Sequence, residues 1–287
     1  MLRIALPNKG RLNQECRELL ADAGLEVRAS SERALTASLG GEFEAIFVRA
    51  QDIPEFVADG AADAGITGWD LVAESERALE SRLDLGFGRC RLVVAAREDG
   101  GVRSVGELTG VPRVATVFPN LTRSYFGAAN TTVQVVPVSG AVEVAPHLGI
   151  ADLIVDLTST GSTLKVNGLR EIATVLQSSA RLITAPAPAG DRSRKTPLDE
   201  LVQALESVIA ARDKRYVMAN VPRARLDAVK QVLPGISGPT VIDVMNGGTM
   251  VAVHAVAPAA TIYKTLTALK ALGGEGILVT RIERLMA

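Results

Sequence analysis

The chain has 287 residues, of which 47% are hydrophobic and 3% aromatic, and its formal net charge is −1. That length suits two or three domains whose cores are built from Ala, Val, Leu and Ile in α/β layers. The charge supplies no basic excess for a nucleic-acid backbone, no apolar run approaches the roughly 20 residues of a membrane span, and the start MLRIALPNKG has no secretory pattern. Nucleic acid and membrane are therefore not expected as partners, and the expected location is the cytoplasm. Cys16 and Cys90 stand in no CxxC pair and read as small buried hydrophobes in a reduced compartment.

In chain order, Leu2–Leu6 reads as a short apolar strand ending at Pro7. Leu12, Cys16, Leu19, Leu20 and Ala23 recur with the spacing of one helix face, and Gly24 ends that helix. Glu44–Val48 reads as a strand. Asp52-Ile53-Pro54-Glu55 has the form of a capping box with proline in the first turn, so a helix is predicted from there to Gly60. Ala62–Ile66 is a third strand, leading into Thr67-Gly68-Trp69-Asp70.

A second run begins near Arg91. It has strands at Leu92–Ala96 and Arg113–Phe118, a helix from Pro119-Asn120 to Gly127, and a strand at Val133–Val138. A helix Gly140–Leu148 capped by Ser139 follows, then a strand at Asp152–Asp156. Strands alternating with helices predict parallel sheets with right-handed crossovers. Two such units side by side leave a cleft, with ligands at the carboxyl ends of strands.

Ala185–Lys195 is rich in Pro, Gly and charge and reads as a surface connection. Thr196-Pro197 starts a helix with one apolar face that runs to Arg212. From Lys214 the order changes. A strand at Tyr216–Ala219, a helix opened by Pro222 and a strand at Thr240–Val244 come first. A turn at Asn246-Gly247-Gly248, a strand at Met250–Val256, a helix after Pro258 and a strand at Ile277–Ile282 complete it. That succession is β-α-β-β-α-β, the ferredoxin-like arrangement. The expected domains are residues 1–90 with 185–213, residues 91–184, and residues 214–287.

The chemistry concentrates in LIVDLTSTGSTL, Leu153–Leu164. A buried strand delivers the chain to a stretch, Thr158, Ser159, Thr160, Gly161, Ser162 and Thr163, in which every residue is a hydroxyl or glycine. Gly161 lets the backbone approach a ligand closely. Successive N–H groups, hydroxyls and a following helix N-terminus all favour an anion, so the loop reads as a nest for phosphate. Asp156, at the strand end, can accept hydrogen bonds from ribose hydroxyls. The loop is neither a Walker loop nor a dinucleotide fingerprint, because Gly-Lys-Thr/Ser and GxGxxG are absent.

The loop resembles the 5-phosphoribosyl-1-pyrophosphate (PRPP) loop of phosphoribosyltransferases. With PNKGRL, ADAGITGWDL, VATVFPN and LPGISGPTV in this order and spacing, the whole chain resembles the long-form ATP phosphoribosyltransferase family of histidine biosynthesis. The resemblance implies two periplasmic-binding-protein-like α/β domains with the active site between them, and a ferredoxin-like domain that binds histidine as feedback inhibitor. It implies transfer of the phosphoribosyl group of PRPP to N1 of ATP with release of pyrophosphate, Mg²⁺ as cofactor, and a homo-oligomer, dimer to hexamer. On this sequence, Asp156 and Thr158–Thr163 would hold the 5-phosphate and ribose, and Lys9, Arg49, Asp70 and Leu71 the nucleotide and pyrophosphate side. Thr240 and Gly276 would contact histidine. The sequence departs from the commoner pattern of two adjacent acids before the loop, since Val155 precedes Asp156. Most Mg²⁺ ligands would then be substrate oxygens and water.

Breaking the C1–pyrophosphate bond builds positive charge on ribose and negative charge on the leaving group, and Lys9 and Arg49 are the cations expected to stabilise that anion. Their structural alternatives are a solvated loop lysine and a surface ion pair. Asp70 either binds nucleotide or caps a helix through Val72. Phe118 either covers a ribose or base or packs in the core. Glu143 is expected to touch the cleft only indirectly. His147 and His254 have no metal-spaced partners and read as structural. Two other functions share this architecture: a small-molecule binding module of the periplasmic type, and a prephenate-dehydratase-like enzyme, whose Thr-Arg-Phe signature is absent.

Overall fold

The computed structural model describes residues 1–29, 31, 34–186, 195–245 and 248–286. Its contacts divide the chain into two units, Met1–Thr196 and Pro197–Ala287.

The first unit holds two sheets. In chain order its opening elements are β1 (Leu2–Pro7), α1 (Gly10–Asp22), β2 (Val27–Arg28), β3 (Thr36–Leu39) and β4 (Phe43–Val48). Next come α2 (Ile53–Ala58), β5 (Ala64–Gly68), α3 (Trp69–Ser75) and β6 (Glu80–Asp84). The chain then crosses into β7 (Cys90–Arg97), β8 (Arg113–Thr116), α4 (Pro119–Ala128) and β9 (Gln134–Pro137). It continues through β10 (Leu153–Thr158), α5 (Ser162–Val166) and β11 (Leu169–Ser178), and returns as β12 (Ala180–Thr184).

The first sheet runs β2-β3-β4-β1-β5-β12-β6 and the second β11-β7-β10-β8-β9. Their centres are parallel as expected, β1 between β4 and β5, and β8 between β10 and β9. In the first sheet the margins on both sides are antiparallel, and in the second the β11-β7-β10 side is, while the β9 edge stays parallel, a correction to the all-parallel expectation. At β2-β3-β4 consecutive strands simply reverse direction within one sheet. Elsewhere the cause lies in the crossings, since β6 to β7 leaves one sheet for the other and β11 to β12 brings the chain back, so β12 and β7 run against their neighbours. β12 thereby joins the first sheet, outside the 1–90 segment expected there.

The central strands are buried on both faces, which is why they read as continuous apolar runs. Ile4, Ala5 and Leu6 are fully buried, as are Leu92, Val93, Val94 and Ala95. Each large aliphatic chain so buried contributes about 1.5–3 kcal/mol. Two expected helix starts differ. Asp52 makes no side-chain cap to α2, so its capping box is not formed. Residues 140–148 form a short 3-10 turn at Val142–Val144 entered from Ala141 in the left-handed region, and Ser139 caps nothing there.

The second unit contains most of α6 (Lys195–Arg212), then β13 (Lys214–Pro222), α7 (Leu226–Val232), β14 (Thr240–Asp243), β15 (Met250–Pro258), α8 (Ile262–Ala271) and β16 (Glu275–Arg281). The sheet order β14-β15-β13-β16 with antiparallel pairing is the ferredoxin-like arrangement. Val217, Val221, Val229, Leu233, Val251, Val253 and Leu269 are the fully buried members of its core. The turn expected at Asn246-Gly247-Gly248, apart from Gly248, and most of the connection Ala185–Lys195 lie outside the described residues.

Candidate active site

The carboxyl ends of β1, β4 and β5 lie side by side, because Pro7 pairs with Val48 and Ala5 with Gly65. The next residues in the chain are therefore neighbours at one edge of the sheet. Lys9 follows β1 and precedes α1, and Arg49 follows β4; both are exposed. Among the described residues neither has an acidic partner, so the surface ion pair weighed for Arg49 is not formed.

Asp70 stands in the first turn of α3 and is only 4% exposed. It does not cap that helix. Ser178 donates its hydroxyl to Asp70 Oδ1 at 2.5 Å, and the Asp70 N–H donates back to Ser178 Oγ at 3.0 Å. This reciprocal pair joins positions 108 residues apart and ties α3 to the end of β11. Burial pushes the Asp70 carboxyl above its ordinary range, and the Ser178 hydrogen bond opposes that rise. Gly68 is what lets the carboxylate turn back, since a Cβ there would meet Asp70 Oδ1 at 2.5 Å.

In the second sheet β10 carries Asp156 to its carboxyl end. One Asp156 oxygen accepts the N–H of Leu157 at 2.8 Å. Burial is the main cause holding this carboxyl above its ordinary range, and the charge of nearby Glu143 adds to it. The hydroxyl turn then folds on itself. Thr158 is buried and its Oγ1 accepts the Gly161 N–H at 2.9 Å, while the Thr160 and Ser162 hydroxyls lie 2.8 Å apart. Gly161 has φ 79°, the left-handed conformation that glycine takes without strain, and a Cβ there would meet nothing within 4 Å. Ser159, Thr160, Ser162 and Thr163 are exposed around it. The hydroxyls are thus arranged before any ligand arrives, with the open side of the turn facing solvent.

Two adjoining cavities connect the lobes. One, of ≈ 300 Å³, brings Asp70 and Leu71 together with Leu157, beside Leu12, Arg89 and Cys90. The other, of ≈ 390 Å³, joins Ser159 to Arg89, Arg91, Ser178 and Arg181. Of this second set Ser159 belongs to the loop singled out in the sequence, whereas Arg89, Arg91, Ser178 and Arg181 have no counterpart in the sequence reading. The only trace there is Arg89-Cys90-Arg91, a pair of cations at the expected domain start. Cys90 is half-buried and lines both cavities, so it is not the core hydrophobe expected.

Other expected residues lie elsewhere. Phe118 is 3% exposed and belongs to the hydrophobic cluster of β7, β8 and β10, which favours its packing alternative. Thr240 and Gly276 are on β14 and β16, the two edge strands, so one chain does not bring them together. His147 Nε2 is 2.7 Å from the Asn167 carbonyl, and His254 Nδ1 is 3.0 Å from the Tyr216 hydroxyl. Both are held by ordinary hydrogen bonds, and among the described residues no group of three or more His, Cys, Asp or Glu side chains could hold a metal. Nor, among those residues, is any helix long and apolar enough to cross a membrane.

A hydroxyl-and-glycine turn on one α/β lobe, next to cavities that reach a buried acid on the other, is the arrangement expected of a two-lobed enzyme working on phosphorylated small molecules. The family model for ATP phosphoribosyltransferase matches residues 49–207, and that for the C-terminal domain of the same family matches 211–284. The ATP phosphoribosyltransferase of Gemmatimonas aurantiaca is 72% identical, with all of both chains covered. That of Methanocaldococcus jannaschii is 42% identical, again over 100% of both. Among solved structures, the ATP phosphoribosyl transferase (HisG:HisZ) complex from Thermotoga maritima matches with TM-score 0.64 and 30% identity, over 73% of this chain and 99% of that one. The chain belongs to the ATP phosphoribosyltransferase family, the transferases of histidine biosynthesis.

Proposed function

We propose that the Thr158–Thr163 turn holds the 5-phosphate of PRPP, with Asp156 on its ribose, while Asp70 and Leu71 hold the adenine of ATP and Lys9 and Arg49 meet the departing pyrophosphate. The observation that carries this reading is the hydroxyl turn itself, closed around Gly161, with Ser159 on one cavity and Asp70 and Leu71 on a second that shares Arg89 and Cys90 with it. N1 of adenine carries no proton at neutral pH, so the attack on C1 of the ribose needs no general base. The lobes need only align the two substrates and stabilise the leaving anion. Asp70 has one oxygen engaged by Ser178, which leaves the other for the adenine N6 amine.

Mg²⁺ fits this donor set in a limited way. Glu143 and Asp156 are the two carboxylates whose charges interact beside the turn, and a Mg²⁺ ion takes one or two carboxylates with substrate oxygens and water. Bound there, the ion would supply positive charge to the diphosphate of PRPP.

Mixing the protein with ATP, PRPP and Mg²⁺ should release pyrophosphate in amounts matching the phosphoribosylated nucleotide formed. No release from ATP and PRPP, together with tight binding of some other small molecule, would end this reading in favour of a binding protein. Histidine is proposed as feedback inhibitor acting through the C-terminal unit. Because Thr240 and Gly276 sit on opposite sheet edges, a histidine site using both requires edges from two copies, consistent with a homo-oligomer. A chain ending at Asp213 should be indifferent to histidine; inhibition that persists in it would refute the assignment.

A further inference from the structure

We propose that Arg89, Arg91 and Arg181 form a subsite for the triphosphate tail of ATP. The inference rests on the transferase reading above and extends it. That reading leaves one anion without a partner. The hydroxyl turn takes the 5-phosphate and Lys9 with Arg49 take the pyrophosphate, but nothing in it meets the three phosphates of the nucleotide.

The ≈ 390 Å³ cavity beside the turn has three guanidinium groups on its wall and one carboxylate, Asp84. Asp84 is already engaged: it accepts the Ser179 hydroxyl at 2.8 Å and the Gly86 N–H at 2.9 Å. Arg91 is paired with Glu171 at 3.0 Å. Arg89 is exposed and, among the described residues, has no acidic partner. Arg181 lies over the Trp69 ring with 4.4 Å between guanidinium carbon and ring centroid, and its buried Nε has no hydrogen-bond partner. An aromatic face fixes the plane of a guanidinium without neutralising it. Two of the three cations thus have no ion pair among the described residues, with Asp84 the one opposing charge, opposite Arg181 in the β6–β12 register, and Arg181 carries a buried Nε left unpaired, which costs free energy.

The position selects among the possible phosphates. The cavity meets the hydroxyl turn only at Ser159, so it adjoins the 5-phosphate end of the donor. Pyrophosphate departs from C1, at the opposite end of the ribose. The cavity also shares Arg89 and Cys90 with the ≈ 300 Å³ cavity of Asp70 and Leu71. A nucleotide with its base against Asp70 and Leu71 therefore has its phosphates beside the arginine cavity, across Arg89 and Cys90.

The test compares ATP, ADP and AMP binding to the full-length protein and its Arg89→Gln variant by calorimetry, with steady-state KM values for ATP and PRPP. Wild type should bind ATP more tightly than ADP and ADP more tightly than AMP. In Arg89→Gln the ATP affinity should fall about tenfold or more, the scale of one lost charge-assisted hydrogen bond, with AMP affinity within about twofold. Arg181→Met should compress the same series, and Arg89→Lys should recover part of it. Equal losses for all three nucleotides, an unchanged series, or an effect on the KM for PRPP alone would overturn the proposal. A wild-type protein that releases no pyrophosphate from ATP and PRPP would instead remove the transferase reading on which it rests.

Discussion

Replacing Ser178 with alanine removes one hydroxyl and disturbs two bonds at once. The Asp70 carboxylate, 4% exposed, loses its 2.5 Å donor, and the Asp70 N–H in the first turn of α3 loses its acceptor. A hydrogen bond to a charged group is worth about 1.5–3 kcal/mol and an unpaired buried backbone donor about 1–3 kcal/mol, so a loss of about 3 kcal/mol is expected at neutral pH. For a unit of 196 residues that corresponds to a fall in Tm of about 6–12 °C. The effect must depend on pH. Asp70 has its folded pKa raised above the unfolded value, so the folded state holds the proton longer. Its contribution is therefore most favourable below the unfolded pKa and is lost as pH rises through the folded one. Without Ser178 the carboxyl rises further. The deficit of Ser178→Ala against wild type should then be largest near pH 7 and shrink as pH falls toward the unfolded pKa of about 3.9. Thermal unfolding at fixed protein concentration across that range reads it directly. A deficit independent of pH, or one of equal size in an Asp70→Asn background, would show that the carboxylate is not what Ser178 serves.

Three further substitutions test other parts of the site. Gly68→Ala places a Cβ 2.5 Å from Asp70 Oδ1 and should raise the KM for ATP about tenfold with little change for PRPP, because the carboxylate must move. Gly161→Ala meets no neighbouring atom, so its only cost is the left-handed backbone, about 1–2 kcal/mol. It should raise the KM for PRPP about five- to thirtyfold, with Gly161→Asn milder and Gly161→Val worse; an Ala variant equal to wild type would show that the turn need not hold this conformation. Glu74, in α3, accepts the N–H groups of Asn120 and Leu121 at 2.9 Å and so caps α4 on the other lobe. Glu74→Ala should cost about 1–2 kcal/mol in chemical denaturation, and Glu74→Gln less.

Much of the architecture is legible in the residues because the central strands carry their own signal. Leu2–Leu6, Leu92–Ala96 and Asp152–Asp156 are apolar runs bounded by turn residues, and the C-terminal alternation of strands and helices is regular enough to read as ferredoxin-like. Leu169–Ser178 is harder. It pairs only with β7, half-exposes most of its side chains and contains two irregularities of register, so neither a buried run nor a strict alternation marks it. Missing that strand hides the return crossing to β12, and with it the antiparallel pairing of β11 with β7 and of β12 with β5 and β6. The false helix at Gly140–Leu148 has the opposite cause: Ala141 is held at φ 51°, a choice made by the surrounding fold and invisible in local propensity.

The site divides along the same line. The hydroxyl turn is legible because its residues are contiguous and their chemistry is local. Lys9, Arg49 and Asp70 are legible only as strand-end residues, and it is the parallel register of β4, β1 and β5 that makes neighbours of the positions after each strand. Ser178 and Arg181 have no such prospect. Ser178 lies 108 residues from the acid it serves, and the two flank Ser179, where the chain passes from β11 to β12. There the first lobe's acid and the second lobe's strand end meet, so Ser178 both supports Asp70 and lines the arginine cavity. The crossing that the sequence pattern conceals is thus where cavity-lining groups of the two lobes are held in register. A change in either crossing strand should therefore alter nucleotide binding before it alters the hydroxyl turn, whose hydrogen bonds close within Thr158–Ser162.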